Sequence, residues 1–137
     1  MKGTKPILLI EDDKVHQMTV KRAFRDLKVS NQLIIQENGI EGLEYLRNKD
    51  NERPCIILLD INMPKMNGIE FLQVTKNDDD LCHIPTVVLT TSKEEQDRLD
   101  SFKFGVSGFM VKPVDYKQFV DTLKAIQLYW TISEHPE

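Results

Sequence analysis

Side chains able to do chemistry fall at the ends of apolar runs in this 137-residue chain, and they recur there four times. Residues 6–10 (PILLI) lead into Glu11, Asp12 and Asp13. Residues 55–59 (CIILL) lead into Asp60, residues 85–89 (PTVVL) into Thr90, and residues 109–111 (FMV) into Lys112. Continuous rather than alternating apolarity suits strands covered on both faces, as in a parallel sheet between helices. Parallel strands put their carboxyl ends on one edge, so three acids, a fourth acid, a hydroxyl and an ammonium would converge there. In a strand order of 2-1-3-4-5, strands one and three flank the topological switch point, and their acids share one crevice. Carboxylates about 5 Å apart repel by roughly 3 kcal/mol per pair at an effective dielectric of 20. A hard divalent cation with oxygen ligands and waters offsets that repulsion best, which is magnesium chemistry. The same ion would neutralise an incoming phosphoryl group, leaving Asp60 to act as a carboxylate nucleophile that forms an aspartyl phosphate. Lys112 and the Thr90 hydroxyl would supply positioning and charge neutralisation. Taken singly, Asp60 reads as a loop cap, Lys112 as a surface lysine before a turn proline, and Thr90 as a β-branched strand residue. Their shared edge favours the chemical reading.

The elements that must position these residues alternate strand and helix five times, which predicts a doubly wound α/β fold with a five-stranded parallel sheet and right-handed crossovers. After Asp13, Val20, Ala23, Phe24 and Leu27 form one helical face, and Asp13 is expected to cap that helix. Residues 33–35 make a short strand. The Glu37-Asn38-Gly39 turn opens a helix through Leu43 and Leu46. Asn67 with Glu70 forms a capping box for a helix that turns Ile69, Phe71, Leu72 and Val74 inward. The acidic stretch 77–80 reads as a solvated loop. Ser92 with Glu95 predicts a further capped helix carrying Leu99 and Phe102. Asp115 is expected to cap the last helix, whose stripe is Phe119, Leu123, Ile126 and Trp130.

Size and composition bound the rest. The chain reads as one domain over 1–137, with a short C-terminal extension from about 128. A hydrophobic content of 40% and a charged content of 29% are ordinary for a globular chain. A net charge of −4 argues against direct nucleic-acid binding. No apolar run approaches the roughly 20 residues a membrane helix needs, and the N-terminus lacks a signal-peptide pattern, so a cytoplasmic location is expected. Cys55 and Cys82 read as reduced thiols. Two cysteines and three scattered histidines speak against zinc.

Five segments in register resemble the receiver domain of two-component response regulators: 8–13 (LLIEDD), 37–39 (ENG), 60–68 (DINMPKMNG), 89–92 (LTTS) and 111–113 (VKP). The resemblance spans nearly the whole chain and implies the flavodoxin-like, CheY-like (βα)5 fold. It implies that Asp60 is the phosphoacceptor. Asp12 and Asp60 would be direct Mg²⁺ ligands, joined by the backbone carbonyl of Asn62, with Glu11 acting through water. Thr90 would be the switch hydroxyl, and Lys112 the partner of the phosphoryl group, followed by a cis peptide to Pro113. Phe109 stands where many members carry a switch tyrosine, so aromatic coupling would survive only as a packing change. The implied partners are a sensor histidine kinase and a downstream protein target. Stand-alone receivers paired with phytochrome-type kinases are similar in length and share an aromatic C-terminal extension, here Tyr129-Trp130.

Other functions fit less well. A flavodoxin-like electron carrier needs a first loop that cradles a phosphate, which Glu11-Asp12-Asp13 would repel. A phosphatase working through an aspartyl phosphate wants a second acid two residues past the nucleophile, where Asn62 stands. A pseudo-receiver that binds partners without phosphorylation is the remaining alternative, although every expected active-site residue is present. Tyr129 and Trp130 are adjacent and cannot share one narrow helical face, which predicts an exposed aromatic and a homodimer or partner contact at the C-terminal segment.

Overall fold

A computed structural model describes residues 5–61, 63, 65–90, 108–111 and 116–134. Five strands, β1 (Ile7–Ile10), β2 (Leu33–Gln36), β3 (Ile56–Asp60), β4 (Thr86–Thr90) and β5 (Gly108–Val111), join in one sheet of order β2-β1-β3-β4-β5. Every neighbouring pair is parallel. Among the described residues there are four helices: α1 (Lys14–Asp26), α2 (Gly39–Arg47), α3 (Gly68–Lys76) and α4 (Tyr116–Glu134). The helix expected after Ser92, with Leu99 and Phe102, lies outside the described residues, as does the expected Asp115 cap. The architecture is a flavodoxin-like, CheY-like α/β fold.

The period-2 alternation of strand side chains sorts the core into two layers. Ile7, Leu9, Ile56, Leu58, Val87 and Leu89 pack with Val20, Ala23 and Phe24 of α1 and with Phe119 and Leu123 of α4. Leu8, Ile10, Ile57, Leu59 and Val88 pack on the other face with Leu43 and Leu46 of α2 and Ile69, Phe71 and Leu72 of α3. All residues of β1 and β3 are buried, whereas β2, at the sheet edge, is only half-buried. Each fully buried Leu or Ile contributes about 1.5–3 kcal/mol relative to exposure, so the two central strands are the most firmly held positions in the chain. Their carboxyl ends inherit that rigidity.

Helix starts follow the local sequence. The Asp13 side chain accepts from the amides of Val15 and His16 and so caps α1, as its position predicted. Asn38 caps α2, and Asn67 with Glu70 forms a reciprocal capping box on α3. The acidic stretch 77–80 is the largely exposed turn expected of it, and two of its acids meet arginines at the surface. Arg53 donates to the Asp80 carbonyl and, at 3.0 Å, to its carboxylate, and Arg47 lies 3.9 Å from the Asp78 carboxylate. These exposed pairs contribute little to stability.

Candidate functional site

β1 and β3 are paired with Ile10 opposite Leu59, so the next residues, Glu11 and Asp60, come level on adjacent strands. Alternation also puts them on the same face, since Leu9 and Leu58 share the layer under α1. Asp12 follows immediately in the turn into α1. One carboxylate oxygen from each of Glu11, Asp12 and Asp60 lies within 4.8 Å of the others. Glu11 is 0% exposed and Asp60 2%, with Asp12 partly open to solvent. Burial withholds water from two of these anions, so the pocket is built to meet positive charge.

The surrounding chain fixes the acids. The Glu11 amide donates to the Gln36 carbonyl at 2.9 Å, and the buried Gln17 side chain donates to the Glu11 carbonyl at 2.7 Å. The Asp13 amide donates to Glu11 Oε2 at 3.2 Å, and His16 Nδ1 stands 3.7 Å from the same oxygen. Across the rim, Lys14 pairs with Glu37 and ties the start of α1 to the turn before α2. On the β3 side, the Gly68 amide donates to the Ile61 carbonyl at 2.9 Å. A Cβ at Gly68 would lie 2.5 Å from the Asp60 carbonyl oxygen and 2.8 Å from Ile61 Cα. Only glycine allows the first turn of α3 to fold back this closely on Asp60. Within the connecting loop, Lys65 adopts a left-handed φ of 65°, and the Met66 carbonyl accepts from the Gly39 amide at 3.0 Å.

Of the residues singled out in the sequence, the structure brings together Glu11, Asp12 and Asp60, while Asp13 turns to helix capping. Thr90 is the last residue of β4, paired with Val111 of β5, and Phe109 lies within β5 opposite Val88. Lys112, Asn62 and the peptide before Pro113 lie outside the described residues. Gln17 was missed, although its signal is present: it precedes Val20 and Phe24 by three and seven positions and so falls on their buried stripe. The donor set suits a hard cation. Three oxygen-only ligands in a small, mostly dry cluster match magnesium, manganese or calcium better than zinc or copper.

A family model described as the response regulator receiver domain matches residues 7–124. The chain belongs to the response regulator receiver domain family. It is a receiver domain of two-component signalling. Response regulator Rcp1 of Synechocystis sp. is 34% identical over 130 residues, covering 92% of this chain and 88% of that protein. A solved structure of Rcp1 in its Mn²⁺-bound form superposes with a TM-score of 0.80, at 34% identity, over 92% of this chain and 94% of that one. The bacteriophytochrome response regulator RtBRR is 41% identical with a TM-score of 0.80, covering 89% of this chain and 77% of that one. The phosphorylated cyanobacterial phytochrome response regulator RcpA is 34% identical with a TM-score of 0.82, covering 94% and 95%. Relatives of this receiver therefore include phytochrome response regulators. Among the described residues no helix is long and apolar enough to cross a membrane.

Proposed function

We propose that this chain is a stand-alone, cytoplasmic response regulator, one domain over 1–137, in which a histidine kinase passes a phosphoryl group to Asp60. The observation that carries this reading is the cluster of Glu11, Asp12 and Asp60, two of them buried, at the joint carboxyl ends of β1 and β3. Mg²⁺ held by Asp12, Asp60 and the Asn62 carbonyl, with Glu11 acting through water, would supply the charge that lets an anionic phosphoryl group approach. The Asp60 carboxylate attacks phosphorus, the donor's nitrogen leaves with the bonding pair, and an aspartyl phosphate remains. Gly68 and Ile61 hold the Asp60 backbone still during attack. Lys112 pairs with the transferred group, and the Thr90 hydroxyl turns toward it, with Phe109 repacking behind. Apart from forming and losing its own phosphoryl group, the protein has no turnover.

The sequence after Ser92 supplies a fifth helix in this reading and completes a (βα)5 chain. Similarity to RtBRR and RcpA favours a phytochrome-like kinase as the phosphodonor. Output is a contact with a downstream protein or a second copy. α4 continues to Glu134, ten residues beyond the end of the family match, which is the segment we assign to that contact. A pseudo-receiver remains the competing reading.

Incubation with acetyl phosphate and Mg²⁺ should add one phosphoryl mass to the wild type and none to Asp60→Asn. Equal labelling of both removes Asp60 from the role, and labelling of neither favours the pseudo-receiver. Thr90→Ala should accept the phosphoryl group yet fail to change partner affinity or self-association.

A further inference from the structure

The loop that follows Asp60 is held at its far end by Met66, and we propose that this methionine is a redox-sensitive modification site through which a hydroperoxide slows phosphoryl transfer. The inference rests on the phosphoacceptor role argued above for Asp60. Met66 packs against the first turn of α2 so tightly that a Cβ on Gly39 would lie 2.6 Å from its Cγ and 2.9 Å from its Sδ. Its carbonyl accepts from the Gly39 amide at 3.0 Å. The thioether is therefore wedged on helix backbone, which cannot yield as a side chain can. The preceding residue, Lys65, holds a left-handed φ of 65°, a conformation uncommon for a residue other than glycine. Met66 is nonetheless only partly buried, and a small oxidant can reach it.

Oxidation would proceed by attack of a sulfur lone pair on one peroxide oxygen. The O–O bond breaks, a sulfur–oxygen bond forms, the transferred oxygen gives up its proton, and the departing hydroxide or alkoxide takes up a proton to leave water or an alcohol. Sulfur loses two electrons and the peroxide gains them. The product carries a polar oxygen and a new stereocentre where an apolar, flexible group had been. On the side facing Gly39 the sulfur already stands where a Cβ would be, so an oxygen added there pushes Met66 off the helix and strains the bond from the Gly39 amide to its carbonyl. Two residues on, the Gly68 amide donates to the Ile61 carbonyl and Gly68 lies close against the Asp60 carbonyl, which is the route by which a shift of Met66 would reach the backbone of Asp60. Met18 is 66% exposed on α1, and its oxidation should come first and change nothing at the site.

The experiment uses the full chain, treated with hydrogen peroxide and mapped by mass spectrometry at each methionine. Wild type is compared with Met66→Leu, a swap of similar volume. Wild-type protein oxidised at Met66 should label with acetyl phosphate several-fold more slowly, recover after treatment with methionine sulfoxide reductase, and melt at a lower temperature. Oxidised Met66→Leu should match its untreated form in both readouts. Equal effects in the two proteins, no effect in either, or oxidation that spares Met66 would each overturn the proposal. If untreated wild type does not label at all, the phosphoacceptor reading has failed. The melting difference between oxidised wild type and oxidised Met66→Leu then still decides whether Met66 controls the loop.

Discussion

Asparagine at position 60 should make the metal-free protein more stable, although it removes the residue on which the proposed chemistry depends. Oxygens of Glu11, Asp12 and Asp60 lie within 4.8 Å of one another, and at that distance a pair of unit charges repels by about 3 kcal/mol at an effective dielectric of 20. Asp60 takes part in two of the three pairs, and asparagine keeps its shape. Water at the partly open Asp12 and attractive charges elsewhere cancel much of this, leaving a net gain of about 2 kcal/mol. For a chain of this length, that raises Tm by about 6–8 °C. Magnesium should reverse the order. A ligand that binds only the folded state stabilises by about 2.7 kcal/mol at a concentration of 100 times its Kd, and the variant, having lost a charged ligand, should gain far less. Thermal unfolding followed by circular dichroism, first with a chelator and then with Mg²⁺, measures both effects. Should Asp60→Asn melt at or below the wild-type temperature in chelator, the acids are not in destabilising proximity, and the step from their spacing to a cation fails.

Other substitutions test the frame around the site. Gly68→Ala places a Cβ 2.5 Å from the Asp60 carbonyl oxygen. It should cost about 1–3 kcal/mol, measured by urea denaturation, and should weaken cation binding as well, because the clash is with Asp60 itself. Tyr116 donates to Asp26 at 2.6 Å, with the Arg22 guanidinium 4.1 Å from its ring centre. Burial and then the Asp26 bond push the phenol above its usual value. A raised folded-state pKa means that its stabilisation is full below pH 10 and fades as pH rises through the shifted value. Tyr116→Phe should therefore cost about 1 kcal/mol at neutral pH, with the gap to wild type closing in strongly alkaline urea titrations. Asn67→Ala removes the capping box of α3 and should cost about 1 kcal/mol while leaving cation affinity nearly unchanged, which separates helix capping from site geometry.

The strands were legible because β1 and β3 are apolar without interruption, and a strand buried on both faces leaves no other pattern. The caps at Asp13 and Asn67 were legible because capping is decided within four residues, whereas Asn38, read as part of a turn, proved to cap α2. The convergence of Glu11, Asp12 and Asp60 followed from sheet order and register, both constrained by the parallel topology. What escaped was set by distance along the chain. Asp80 meets Arg53 across 27 positions, and Tyr116 meets Asp26 across 90, and no periodicity encodes either pairing. Met66 was visible only as part of a motif, because its packing on Gly39 depends on how two loops approach after the sheet has formed.

The register of β1 against β3 also bears on how the chain finds its fold. Glu11 and Asp60 stand 49 positions apart in the chain, yet aligning Ile10 with Leu59 forces their charges together in the same event that forms the central ladder. A refolding chain must close that long loop against its own repulsion before any cation has a complete set of ligands to occupy. Long-range parallel pairing is already slow for entropic reasons, and here the electrostatic toll falls on the same step. The acidic cluster thus acts as a brake on assembly, which divalent ions in the refolding medium should release to the extent that the cluster is formed at the barrier.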